Sequence, residues 1–231
     1  MGLKESGLRG SLRNVSVGID AIPESGLLHD YNVLDQSGSQ GNIVSTFTDS
    51  AGSNDLSGNG TYQESQINGR DTILMDGVED VFSGEPANFG PGNEYTYAGV
   101  CQFSSVDSGA AIFGNRGDEW AILSLEGTTE FEADHPGVTS PTGGTPDTSA
   151  FRYVMTYDGS DSYLDINGTT VINGVSQGFG SFSSENLQLA GNGNGSSLAN
   201  VHLGRHLFYD EFYDATGRTE IDDALASEWG F

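Results

Sequence analysis

Short apolar runs, separated by glycine-rich turns, recur along this chain. Residues 72–81, 95–103, 120–125, 151–157, 162–166 and 169–172 are rich in Val, Ile, Phe, Tyr and Thr. These side chains suit a pleated strand. Two runs alternate. Tyr95, Tyr97, Gly99, Cys101 and Phe103 fall on one face, with Thr96, Ala98, Val100 and Gln102 on the other. Phe151, Tyr153, Met155 and Tyr157 oppose Arg152, Val154 and Thr156 in the same way. Both faces carry apolar groups, so these runs are expected to be inner strands of two packed sheets.

The turns are equally patterned. Ser57-Gly58-Asn59-Gly60, Asn68-Gly69, Asp76-Gly77, Asp158-Gly159 and Asn167-Gly168 supply residues that tolerate positive φ. Asn167-Gly168 lies between two strand-like runs and is the strongest hairpin signal. Only the end reads as a helix. Thr219 is the expected N-cap, followed by Glu220, Asp222 and Asp223. Ile221, Leu225 and Trp229 form an apolar stripe, and Gly230 is placed to stop it. The class is therefore all-β.

Charge narrows the partners. The 231 residues carry 33 Asp and Glu against 8 Lys and Arg, a net charge of −25. Lys4 is the only lysine. Such a body is expected to bind no nucleic acid and no anionic membrane, since both need clustered cations. Self-repulsion on this scale destabilises a compact domain unless salt screens it. The composition thus reads as a halophilic, acidic protein. The length is enough to bury a core without staples. Cys101 is the sole cysteine and forms no internal disulfide. No secretory signal is read at the N-terminus, so synthesis in the cytoplasm is expected.

The cations are unevenly placed. In the first 14 residues, Lys4, Arg9 and Arg13 stand against Glu5 alone. Residues 1–26 read as an N-terminal anchoring arm, with Lys4, Arg9 and Arg13 as its anchoring side chains. Residues 27–231 read as the folded domain.

From about Leu27 onward, ordered landmarks resemble the concanavalin A-like lectin/glucanase (laminin-G-like) sandwiches. They are Asp55-Leu56-Ser57-Gly58-Asn59-Gly60, an early loop in that family; Leu74-Met75-Asp76-Gly77-Val78-Glu79-Asp80; and Tyr95-Thr96-Tyr97-Ala98-Gly99-Val100. Val154-Met155-Thr156-Tyr157-Asp158-Gly159, then Leu164-Asp165-Ile166-Asn167-Gly168, follow, and Phe212-Tyr213-Asp214-Ala215 closes the series. The resemblance implies a two-sheet antiparallel jelly-roll sandwich with a short C-terminal helix. It implies no single function, because the fold hosts lectins, hydrolases and structural modules. The basic arm and acidic body together look like virion structural proteins of tailed viruses of haloarchaea.

Candidate chemistry is sparse. Glu130, Glu132 and Asp134 would share one strand face. The glucanases of the resembled fold use Glu-x-Asp-x-Glu; here the order is Glu-x-Glu-x-Asp, and a solvated acidic face is the expectation. Cys101 is expected to be a buried small hydrophobe. His202 and His206 are not expected to bind zinc, because they do not sit on a helix. Calcium is the one candidate metal, with Asp55 and Asn59, or Asp158 and Asp161, as hard oxygen ligands in loops; otherwise no cofactor is expected. For carbohydrate binding the candidates are Asn115, Arg116, Asp118 and Trp120 in one cluster, and Tyr209 and Asp210 in another.

The reading is a non-enzymatic protein on the virion surface, as a capsid turret, decoration or tail-fibre component. It would join other virion proteins through its arm, form a homo-oligomer, and contact host surface glycans. The alternatives are a host carbohydrate-binding protein or adhesin, and a glycosidase.

Overall fold

A computed structural model of the chain describes residues 21–84, 94–115, 120–133, 140–176, 187–191 and 197–231. Their strands are β1 (Leu27–Asn32), β2 (Ile43–Phe47), β3 (Leu56–Ile67), β4 (Arg70–Asp76), β5 (Phe82–Gly84), β6 (Tyr95–Phe103), β7 (Ala111–Asn115), β8 (Trp120–Glu126), β9 (Glu130–Ala133), β10 (Thr142–Gly143), β11 (Ala150–Tyr157), β12 (Asp161–Ile166), β13 (Thr169–Ser176), β14 (Leu187–Leu189) and β15 (Asn200–Tyr209). One α-helix, α1 (Ala215–Trp229), follows them. The expected all-β class with a C-terminal helix holds.

The two-sheet jelly-roll division is not confirmed. Among the described residues the strands form one antiparallel hydrogen-bonded path, β10-β9-β8-β7-β14-β5-β3-β4-β15-β6-β11-β12-β13. β1 runs beside β15 and β2 beside β3. Two long strands change partners and carry the sheet round its corners. β15 pairs β6 along its length, while its other edge takes β4 at residues 200–203 and β1 from Arg205 onward. The register slips between Leu203 and His206. β3 likewise bonds β5 near Ser57 and β4 from Thr61 onward. The sheet thereby curls into a nearly closed barrel. Its two ends meet where Gly143 of β10 lies against the Val171 carbonyl of β13, an approach that any Cβ would block.

The hairpins follow the expected chemistry. Asn68-Gly69 and Asn167-Gly168 both adopt positive φ, at 49° and 78° and at 50° and 72°. They join β3 to β4 and β12 to β13 with two-residue turns whose twist matches the strands. Ser57-Gly58-Asn59-Gly60 is different. It is not a turn or loop but the interior of β3. Glycine is needed there for close packing, because a Cβ at Gly58 would strike the Val81 carbonyl and one at Gly60 would strike Ile73.

Aromatic rings fill the interior. Phe82, Phe47, Tyr31, Phe208, Tyr97 and Phe113 touch in sequence, with centroid separations of 5.5, 5.7, 5.8, 5.0 and 4.4 Å. Edge-to-face and tilted contacts of this kind add to the area each ring buries. β6 and β11 are buried on both faces, as the alternation implies. One face meets this core. The other is covered by α1, not by a second sheet.

The helix begins four residues before the expected cap. Asp214, not Thr219, is the N-cap, its carboxylate accepting from the Thr216 and Gly217 N–H groups at 2.9 and 3.0 Å. Thr219 instead bonds back to the Ala215 carbonyl. Asp214 wins because a carboxylate satisfies two end N–H groups and favours the positive helix end. Ile221, Leu225 and Trp229 are all fully buried, and Gly230 closes the helix at φ 75°.

Three arginines fasten α1 to the sheet. Arg152 of β11 grips Asp222 through two bonds of 3.0 and 2.8 Å. Arg218 of the helix reaches Asp165 of β12 at 2.8 Å. Arg205 of β15 binds Asp30 through two bonds and Glu228 through a third at 2.8 Å. Removing one partner of such a buried pair strands a charge. Arg152→Ala is expected to cost about 3–5 kcal/mol of stability in urea unfolding. Arg70→Ala, at an exposed cation, should stay within about 0.5 kcal/mol.

Candidate functional site

Strand pairing on the face opposite the aromatic core builds a polar row. Phe47, Leu56, Phe82, Leu189 and Phe113 are buried in the core. Side chains alternate along a strand, so Thr46, Ser57, Ser83, Gln188 and Gly114 point the other way. These five are direct cross-strand partners in order: Thr46 with Ser57, Ser57 with Ser83, Ser83 with Gln188, and Gln188 with Gly114. At about 4.8 Å per strand its four polar side chains span about 14 Å, with Gly114 next in line. Thr46 and Ser57 are exposed and Ser83 half-buried. Asn59 is on the same face as Ser57, one pleat along β3. Gln188 is 6% exposed, and among the described residues its buried Oε1 has no hydrogen-bond partner. A buried amide oxygen without a donor is uncommon and marks a place where one is wanted.

A cleft of about 540 Å³ lies elsewhere, between β1, β15 and α1. Glu24, Leu27, Asp30, Ser50, Arg205 and Glu228 are among its lining residues. Its Asp30, Arg205 and Glu228 charges are already spent on each other. Burial works against the Arg205 charge, but the bonds to Asp30 and Glu228 more than offset it and hold the proton tightly. This cleft reads as part of the seam that docks the helix. Beside it, Ile22 packs on the core, and the Tyr213 hydroxyl donates to the Ser25 carbonyl at 2.8 Å.

The sequence candidates scatter. Tyr209 is fully buried and faces Tyr213 at 5.0 Å, so it offers no surface to a sugar; its neighbour Asp210 is exposed. The reason is that α1 and its lead-in cover this face of β15. Asn115 and Trp120 pair through their backbones at the ends of β7 and β8. Arg116, Asp118 and Asp134 lie outside the described residues, as do Lys4, Arg9 and Arg13. Asp55 accepts the Asp49 N–H at 2.9 Å, while Asn59 stands within β3. Asp158 caps its own turn, accepting the Ser160 and Asp161 N–H groups at 2.9 and 2.8 Å. These bonds hold its carboxyl below the usual range despite the burial that opposes them. Among the described residues no group of three His, Cys, Asp or Glu side chains converges as a metal site. Glu130 accepts from Thr142 at 2.8 Å and Glu132 from Ser124 at 3.3 Å, on the face opposite buried Phe131 and Ala133. Sequence reasoning missed Ser83 and Gln188. The signal was a polar residue between Leu187 and Leu189, which alternation sends outward.

No protein-family model matches this sequence, and no curated protein matches it. Solved structures do match in fold. A sialidase of Trypanosoma rangeli, in complex with sialic acid, is 12% identical with a TM-score of 0.64, covering 90% of this chain and 34% of that one. The chain thus spans about a third of the sialidase's length. Domain 4 of AbnA, a GH43 extracellular arabinanase of Geobacillus stearothermophilus, solved in complex with arabinotriose, is 14% identical with a TM-score of 0.63, covering 87% of this chain and 100% of that one. A structure described as a receptor binding domain is 10% identical with a TM-score of 0.63, covering 87% and 51%. At these identities the likeness establishes the fold.

Three buried titratable groups contact one another in the core. His206 sits in the core with Nδ1 2.9 Å from the Tyr153 hydroxyl and Nε2 3.9 Å from Cys101 Sγ. Burial pushes the Cys101 thiol up, away from the thiolate a nucleophile needs. His202 bonds Thr72 at 3.0 Å, separately from His206. Burial pulls His206 from 6.5 down to about 3. The unfolded chain therefore binds a proton that the folded one refuses between those values. This contribution to stability is full above pH ~6.5 and is lost as the pH falls toward 3. Urea midpoints measured across that range should fall more steeply for the wild type than for His206→Phe.

Proposed function

We propose that this chain is a non-catalytic carbohydrate-binding domain. The observation that carries the reading is the row formed by the Thr46, Ser57 and Ser83 hydroxyls and the Gln188 amide on four neighbouring strands. Neutral polar side chains on a rigid sheet orient a polyhydroxylated ligand without the cost of ordering a loop. The fold likeness to the arabinanase domain solved with arabinotriose supports the same reading, as does the likeness to sialidase. The bonds from Glu130 to Thr142 and from Glu132 to Ser124 favour a structural use of those carboxylates. The row needs no metal for its chemistry, so calcium at Asp55, Asn59, Asp158 or Asp161 is not part of the proposal.

The setting we propose is display on a halophilic virion, as a symmetric homo-oligomer held by the N-terminal arm. The contrast between Lys4, Arg9 and Arg13 and the acidic body favours it. So does the state of the described cations. Arg152, Arg205 and Arg218 are consumed in ion pairs, which leaves a surface dominated by carboxylates.

A glycan array, run with the full chain in both dilute and multimolar salt, is expected to give binding. Glu130→Gln with Glu132→Gln should leave that binding unchanged and reveal no hydrolysis lost. A blank array would overturn the reading. Deleting residues 1–20, ahead of the docked Ile22, should yield a folded domain with an unchanged melting temperature that no longer joins particles. Normal incorporation of the truncated chain would overturn the anchoring role.

A further inference from the structure

We infer that the N-terminal arm of one copy of this chain docks in the cleft between β1, β15 and α1 of a second copy, so that copies associate by exchanging residues 1–20. The inference rests on the arm-held homo-oligomer proposed above and names its partner and its surface.

The cleft suits a segment that is both basic and apolar. Its volume of about 540 Å³ lies within the range that binding clefts occupy. Leu27, Ala51 and Ala224 give it apolar lining, and Glu24, Asp30 and Glu228 give it carboxylates. Among the described residues the lining sets one guanidinium, that of Arg205, against these three acids, so an excess of negative charge remains. The excess is felt at Asp35. Burial raises its carboxyl most, the Asp30 charge raises it further, and Arg205 lowers it by less than Asp30 raises it.

The first residues of the chain carry the matching pattern. Leu3-Lys4, Leu8-Arg9 and Leu12-Arg13 each set a leucine beside a cation. Neighbouring side chains of an extended backbone point to opposite sides. A single pair laid in the cleft can therefore press its leucine on the apolar lining and turn its cation to a carboxylate. These cations are also the ones grouped in sequence. Of the chain's 8, Arg152, Arg205 and Arg218 are in ion pairs, Arg70 opens β4, and Arg116 lies outside the described residues.

Position favours a second copy over self-docking. Ala21 itself lines the cleft, so the arm leaves the domain at the cleft edge and would have to reverse at once to fill its own. Across a two-fold axis passing this edge, each arm instead leaves one cleft at the mouth of the other. An arm of 20 residues reaches at most about 70 Å, ample for the crossing. The exchange also sets cations between two acidic bodies that otherwise repel.

The test is sedimentation velocity of the full chain over a concentration series at about 1 M salt. There a Debye length of roughly 3 Å screens general attraction to the acidic body and spares contacting pairs. The wild type should run as a dimer or a larger closed oligomer. Glu24→Lys and Ala51→Trp, both at exposed positions of the cleft, should each weaken self-association at least ten-fold with an unchanged circular dichroism spectrum. Leu8→Ser with Leu12→Ser keeps the charge of the arm and should weaken it as much. Mixing a cleft variant with this arm variant should give tighter association than either alone, because one intact arm then meets one intact cleft. An oligomer that ignores the cleft and arm variants would overturn the inference and leave the homo-oligomer standing. A full chain that is monomeric throughout the series would remove both. Neither result touches carbohydrate binding, which the glycan array reads separately.

Discussion

The pairing of three arginines with carboxylates around α1 is the constraint on which the remaining architecture rests. β6, β11 and β15 run side by side, and all three are buried on the face that lies away from the aromatic core. Without the helix that face would open Ala98, Val100, Val154 and Leu207 to water. The apolar stripe of Ile221, Leu225 and Trp229 supplies the burial, but a stripe alone does not fix direction or register. Arg152–Asp222, Arg218–Asp165 and Arg205–Glu228 fix both, the first of them through a bidentate pair that tolerates little displacement. Arg205 also ties β1 to the same seam, so the first strand and the last helix are located by one side chain.

That arrangement has an electrostatic consequence. A chain with 8 cations and 33 acids spends three of its cations inside ion pairs. Among the described residues Arg70 is the one further cation, so their surface is dominated by carboxylates, which repel anions. The polar row fits this division. Its hydroxyls and amide carry no charge, and β4, β15 and β6 separate it in pairing order from β11 and β12, where two of the arginine pairs are made.

The sheet's corners make the row. β3 and β15 are long enough to exchange partners midway, so the short strands β5 and β14 can enter between β3 and β7. The three residues of β14 present two leucines to the core and one glutamine to the other side.

Much of this was open to reading from the chain alone. Alternation identified β6 and β11 as doubly buried, Asn167-Gly168 and Asn68-Gly69 set their hairpins, and the spacing of Ile221, Leu225 and Trp229 gave the helix face. These are local matters, fixed by side-chain periodicity and by which residues accept positive φ. Other features depended on neighbours distant in sequence. Ser57-Gly58-Asn59-Gly60 has the composition of a turn, yet it is strand because Val81 and Ile73 press against its glycines. Thr219 has the chemistry of a cap, but Asp214 lies where the helix meets the sheet and takes the role. Tyr209 looked like a sugar platform until α1 and its lead-in covered it. The row itself was invisible, since Thr46, Ser57, Ser83, Gln188 and Gly114 come from five separated segments. Sequence determined which faces are apolar and where the chain turns, because those follow from each residue and its near neighbours. Only the tertiary structure decided which strands lie side by side, because register is set by the packing of the whole core.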